Sequence, residues 1–316
     1  MFTLYYTGGD RINLIPSGIT IEDNHISRVG RVAAVGADGI SHAGVHNVIR
    51  NNYIHHGTYS CITWAGNDHV MEYNHFQDCC QNSSDCGAVH CGRDWSMRGN
   101  YIRHNYFQNT HRNWPGAQVR GVMLDDEFSS VNIENNVFLN NEVHANIGGG
   151  RDNIIRYNIF YNATEIAIDV DARGLTGADL PQLEASLKKV PYTNALWSSR
   201  YPKLAAMAYD KVRGAPRGNE IYKNVYYAHD DRLMNYHGSF VVNDSYFNVA
   251  DNYMAWLQNE FVSPENLNFD LQGAANEWAK SNDFPTPIAF KNVGPRIKPG
   301  PSYLHTGRQR KKTQLK

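Results

Sequence analysis

Short alternating runs of apolar and polar residues recur along the chain, among them Cys61–Trp64, Val122–Leu124 and Ile166–Val170. Side chains of a strand point alternately to its two faces, so each run predicts a short strand with one face buried. The runs are too short and too β-branched for helices. A second pattern is interleaved with them: an Asn, one residue, then a large apolar residue. It marks Asn24/Ile26, Asn52/Ile54, Asn74/Phe76, Asn105/Phe107, Asn136/Phe138 and Asn158/Phe160. The step is 22 residues from Asn52 to Asn74 and from Asn136 to Asn158, and 28 or 31 where a polar or Gly-bearing insertion lengthens it. The match returns at Asn224/Tyr226, 66 residues after Asn158, and a degenerate copy follows at Asn252/Met254.

A coil of about 22 residues with two or three short strands and an Asn at a fixed corner is the unit of a right-handed parallel β-helix. Leucine-rich repeats have a similar period, but their dense Leu framework is missing. The expected fold is therefore all-β: a parallel β-helix solenoid with a helical insertion and an irregular C-terminal cap. The Asn side chains should stack into a ladder, and Phe76, Phe107, Phe138 and Phe160 should stack inside the tube. Coils are expected over 1–174 and 219–254. The interval 175–218 should be an excursion, with helical spacing over Asp179–Val190 and a second short helix within Tyr201–Arg213. Residues 255–316 read as capping structure that ends in a basic tail, GRQRKKTQLK. The opening MFTLYYTGGD lacks the basic and apolar regions of a signal peptide, and the coil pattern starts partway through, so an N-terminally incomplete chain is expected.

The 316 residues carry a formal net charge of −1, with 41% hydrophobic and 19% charged residues. That balance argues for a soluble chain of one or two domains, against a disordered polyelectrolyte and against nucleic-acid binding by bulk positive charge. No apolar run approaches the roughly 18 residues of a membrane span. All five cysteines, Cys61, Cys79, Cys80, Cys86 and Cys91, lie in one stretch, which fits local bridges or small core residues equally well. Acceptor sequons at Asn82, Asn162 and Asn243 are compatible with a secreted glycoprotein.

The runs GVHNVIRNNYIHHG (44–57), GNDHVMEYNHF (66–76), DCGAVHCGRDW (85–95), GVMLDDEFSS (121–130), IGGGRDNIIRYNIF (147–160) and AIDVDARGL (167–175) resemble right-handed β-helix proteins of the pectin-lyase-like superfamily. Within it they are similar to the fucosidase- and xylanase-like glycoside hydrolases of family 141. The resemblance implies a carbohydrate-active protein; the Gly-His-Gly motif of polygalacturonases is absent from the sequence.

Equivalent residues of successive coils lie about 4.8 Å apart along the axis, so distant acids become neighbours. Matching Leu124 with Ile147 and with Ile168 puts Asp125, Gly148 and Asp169 in one outward column. Asp126 and Glu127 follow at one corner and Asp171 and Arg173 at the other, with His90, Arg93 and Asp94 one coil earlier. Gly148 and Gly149 should then form an open floor between acidic walls, suited to a sugar ring. Asp125, Asp126 and Asp169 are the expected catalytic acids; the other eight are the expected substrate contacts. Asp125 and Asp169, two coils apart, suit an inverting glycosidase, the favoured outcome, whereas Asp126 with an acid on the next coil would suit a retaining one. Arg120 and Arg173 are candidates for binding a uronate carboxylate, and Trp95, Trp114, Tyr192 and Trp197 for stacking on sugar rings.

His55 and His56, like His42 and His46, invite a metal reading, but strand neighbours point to opposite faces and should not share an ion. No cofactor is expected, calcium at the Asp cluster being the one candidate. Three functions follow. The first is a glycoside hydrolase on an extracellular polysaccharide, working as a secreted monomer without nucleic-acid or membrane partners. The second is a polysaccharide lyase or epimerase using His90, Arg93 and Arg120. The third is a non-catalytic carbohydrate-binding or matrix scaffold.

Overall fold

The computed structural model describes residues 4–227, 231–236 and 244–296. Three parallel sheets of eight strands each run the length of a right-handed coil, and every turn contributes one strand to each sheet. The first sheet contains Ile62–Asn67, Cys86–Gly92, Val119–Asp125, Val143–Gly148 and Ile166–Asp171, and it carries the site described below.

The Asn corner explains why the coil closes where it does. Asn24, Asn52, Asn74, Asn105, Asn136, Asn158, Asn224 and Asn252 form one uninterrupted ladder, each Nδ2 donating to the Oδ1 of the next at 2.9–3.1 Å. Each Oδ1 also accepts the backbone N–H of the preceding ladder Asn, as Asn105 Oδ1 does from Asn74 at 2.8 Å. The residue before each ladder Asn, such as Tyr73 (φ 56°) or Asn135 (φ 56°), is left-handed, which turns the chain sharply between the second and third sheets. Buried amides whose donors and acceptors are all used hold the corner without leaving orphan polar groups.

Two residues past the Asn, the chain points inward. Ile26, Ile54, Phe76, Phe107, Phe138 and Phe160 pair in strict register and fill the tube. Phe107 and Phe138 stack with centroids 4.6 Å apart. The 66-residue step is a true excursion: Asn158 bonds directly to Asn224 at 3.0 Å. The looped-out chain carries helices Leu180–Leu187, Ala195–Arg200 and Pro202–Ala206. Their apolar sides bury Leu183, Leu187, Trp197 and Leu204 against Trp95, and Tyr201 donates to Asp68 at 2.8 Å. Trp95 and Trp197 are thus core residues of this docking and are not available to stack on a sugar; Trp114 is largely exposed.

The later segment lies along the outer face of the third sheet, where Phe261 and Phe269 pack on Tyr106, Val137, Ile159 and Tyr161. Disulfides join Cys61 to Cys79 and Cys80 to Cys86, and Cys91 is a buried free thiol. The Asn243 sequon and the basic tail lie outside the described residues. Among the described residues no helix is long and apolar enough to cross a membrane.

Candidate active site

Val119–Asp125 places Leu124 inward and Met123 and Asp125 outward, and its end is turned by Asp126 (φ 38°) and Glu127 (φ 64°). Two successive non-glycine residues in the left-handed region are unfavourable, of order 1 kcal/mol each. Here they aim three consecutive acids into one corner. Leu124 pairs with Ile147 as the alternation predicts, but Ile147 pairs with Val170 rather than Ile168. The outward column is therefore Gly92, Asp125, Gly148 and Asp171, and Asp169 stands two residues back, in line with His90, Met123 and Asn146.

Arg173 organises that column. Its Nη1 lies 2.7 Å from Asp125 Oδ1 and 3.1 Å from Asp126 Oδ1, while Nη2 lies 2.7 Å from Asp171 Oδ2. The same side chain lies across Gly148 and Gly149: a Cβ at Gly148 would sit 3.1 Å from its Cζ, and one at Gly149 2.7 Å from its Cγ. The expected bare glycine floor is thus corrected. The glycines make room for a guanidinium, and Arg173 is committed to three carboxylates. Arg93, with 60% of its side chain exposed, adds a second cation 2.5 Å from Asp126. Charge at the acidic corner is balanced by arginines, and among the described residues no group of three or more His, Cys, Asp or Glu is placed to hold a metal ion.

The acids are electrostatically unequal. Burial alone would raise Asp125, but the contact with His90, whose Nε2 is 3.8 Å from Oδ2, and the charge of Arg173 together lower it to about 2. Asp126 moves the other way, raised by burial and then by the neighbouring Asp125 charge. Glu127 is 1% exposed, its Oε2 has no hydrogen-bond partner, and burial followed by Asp179 and Asp126 raises it to about 8. It is a neutral acid wedged between Gly149 and Gly174.

Outside this corner opens a polar cavity of about 270 Å³, lined by Tyr59, Asp85, His90, Gly92, Arg93, Asp125 and Asp126. Asp169 is not in this lining: it is 2% exposed, and its Oδ2 lies 3.9 Å from Arg120, which also approaches Asp85 at 3.6 Å. Asp94 is a turn cap, accepting from the N–H and hydroxyl of Ser96 at 2.8 and 2.6 Å. Of the eleven expected residues, four therefore reach the cavity: His90, Arg93, Asp125 and Asp126. Arg173, Asp171, Glu127, Gly148 and Gly149 form the layer behind it.

The sequence matches the family described as right handed beta helix region over residues 2–160. The chain belongs to this family. Membership of the right-handed β-helix family accounts for the three parallel sheets, and it is consistent with a carbohydrate-active or pectin-lyase-like protein. A comparison with curated proteins found no match.

Tyr59, Asp85 and, beside the cavity, Asp38 were not legible as site residues. Tyr59 is half-buried in the cavity wall, and burial and then the charges of Asp38, Asp85 and Asp125 raise it. Asp38 accepts from Thr63 at 2.7 Å, and Thr63 pairs with His90 on the next coil. The available signal was that register, since Ile62-Thr63 repeats as Val89-His90.

Proposed function

We propose that the cavity over the first sheet binds an extracellular polysaccharide and cleaves its glycosidic bond by a retaining, two-carboxylate mechanism. The observation that carries this is the Asp125–Asp126 pair: both contact the same Arg173 nitrogen, both line the cavity, and their proton affinities are driven in opposite directions. Retaining enzymes need carboxyl groups roughly 5–5.5 Å apart, one ionised and one protonated. Asp125 Oδ1 and Asp126 Oδ1 approach one nitrogen at 2.7 and 3.1 Å, which keeps these two carboxylates close neighbours in the cavity wall. Environments that split a pair of acids assign their roles.

In this reading the ionised Asp125 attacks the anomeric carbon and forms a glycosyl ester, while Asp126 gives its proton to the departing oxygen. Asp126 then takes a proton from water, the water oxygen bonds the anomeric carbon, and Asp125 leaves as a carboxylate. His90 and Arg173 keep Asp125 ionised; Tyr59 supplies a polar ring edge for sugar hydroxyls. The paired cysteines and the exposed Asn82 sequon support residence in an oxidising, secretory compartment.

A second reading rests on Arg93, whose exposed guanidinium at the cavity rim suits a uronate carboxylate, with His90 as proton-abstracting base. Digestion of neutral and uronate-containing polysaccharides separates the two. Hydrolysis yields reducing ends alone; β-elimination adds an unsaturated uronate absorbance.

A further inference from the structure

On the third sheet, on strands other than those of the acid cavity, four aromatic heterocycles and a tyrosine crowd one patch: His25, Tyr53, His55, His56 and His75. His25 belongs to strand His25–Ser27 and His55 to Tyr53–His55 on the next coil. His55 and His56 do not point to opposite faces, because His56 has left the strand with φ 54°, which swings its ring back beside its neighbour. The expectation that strand geometry points these two imidazoles to opposite faces is corrected by that turn.

The nitrogen contacts form a chain. His25 Nε2 faces His55 Nε2 at 2.6 Å, His55 Nδ1 faces His56 Nδ1 at 2.5 Å, and His56 Nε2 is 3.5 Å from Asp78 Oδ2. Ring centroids of His25 and His55 are 4.8 Å apart with planes 26° from parallel, and at 2.6 Å one Nε2 donates its proton to the lone pair of the other. The tautomer that turns a proton on His56 Nε2 toward the Asp78 carboxylate lets His56 Nδ1 accept from His55 Nδ1–H and leaves the His55 Nε2 lone pair to accept from His25 Nε2–H. A ligating imidazole whose other N–H is fixed by a hydrogen bond leading to a carboxylate is the arrangement that orients and strengthens histidine ligands.

We propose that His25 and His55 bind a borderline divalent transition ion, of the Cu²⁺ or Zn²⁺ class, through their Nε2 atoms, with solvent completing the shell. His56 and Asp78 act as positioning residues. A turn of the exposed His25 ring, with its proton moved from Nε2 to Nδ1, opens the gap to the ~2.0–2.1 Å bonds such ions form with imidazole. Cu²⁺ is the most sensitive probe because imidazole sites hold it tightest among the common divalent ions.

The test is titration of the full chain with Cu²⁺, read by calorimetry and by the nitrogen hyperfine pattern in electron paramagnetic resonance. The expected result is one equivalent with two imidazole nitrogens. His25→Gln or His55→Gln should remove one nitrogen and weaken binding at least tenfold, and His56→Gln should weaken it about tenfold with both nitrogens kept. His111→Gln should change nothing. His25 is exposed, so its variant keeps the test valid if substitution at His55 perturbs folding. A stoichiometric signal unchanged in His25→Gln, or no binding tighter than that variant's, overturns the proposal.

Discussion

Arg173 joins Asp125 to Asp171 across two coils, with Nη1 2.7 Å from one carboxylate and Nη2 2.7 Å from the other. One guanidinium thereby fixes the vertical stack of the first sheet, neutralises its acids and roofs Gly148. Arg173→Ala should leave Asp125 and Asp171 without the guanidinium between them, with Arg93 still beside Asp126. Because a third of the Arg173 side chain is exposed, the expected loss is about 2 kcal/mol, less than for a fully buried pair. Arg173→Lys should recover less than half of it, since an ammonium cannot make the two-pronged contact with Asp171 while reaching Asp125. Urea unfolding monitored by circular dichroism measures both.

Glu127 sets a pH dependence of opposite sign to that of Asp125. Its folded-state affinity for a proton is raised to about 8, so the neutral-acid contribution is complete below its ordinary value of 4.5 and is lost as pH rises through about 8. Glu127→Gln keeps the shape without the charge. The variant should melt at a higher temperature than the parent at pH 8 and at nearly the same temperature at pH 4. Asp125, lowered to about 2, stabilises the fold above its ordinary 3.8, and that contribution is lost as pH falls through about 2.

The corner ladder predicts a cooperative loss. Asn105→Ala removes the acceptor of Asn74 Nδ2 and of the Asn74 N–H, and the donor to Asn136 Oδ1 and to the Met71 carbonyl. Several buried groups are orphaned at once, at about 1–3 kcal/mol each. Unfolding should shift by at least about 3 kcal/mol, whereas Asn252→Ala, at the ladder's end and partly exposed, should shift it by about 1 kcal/mol. Paired urea titrations compare the two sites directly.

The ladder and the Phe column could be read from the sequence because both belong to one corner repeated at nearly constant spacing. Register on the first sheet could not. Ile166, Ile168 and Val170 are all buried, so sliding this strand by two residues keeps every inside–outside assignment and merely trades Asp169 for Asp171. Gly148 and Gly149 advertised missing side chains, but nothing local revealed that Arg173, which starts a separate 3₁₀ turn, lies over them. His56 likewise reads as a strand residue until its left-handed backbone is known.

Asp169 and Asp126 provide an internal contrast. Asp169→Asn disturbs a buried contact beside Arg120 and should act on stability, with turnover per folded molecule within about threefold of the parent. Asp126→Asn should lower turnover by about 10²–10⁴ by removing the proton donor, and it should do so least on substrates with good leaving groups.

Product analysis of Asp125→Asn beside the parent, on a panel of neutral and acidic polysaccharides, decides whether the Asp125–Asp126 corner hydrolyses glycosidic bonds. The parent should release reducing ends of retained anomeric configuration with no unsaturated absorbance, and the folded variant should release none. Equal release by the variant, or unsaturated uronate as the parent's product, would contradict that role.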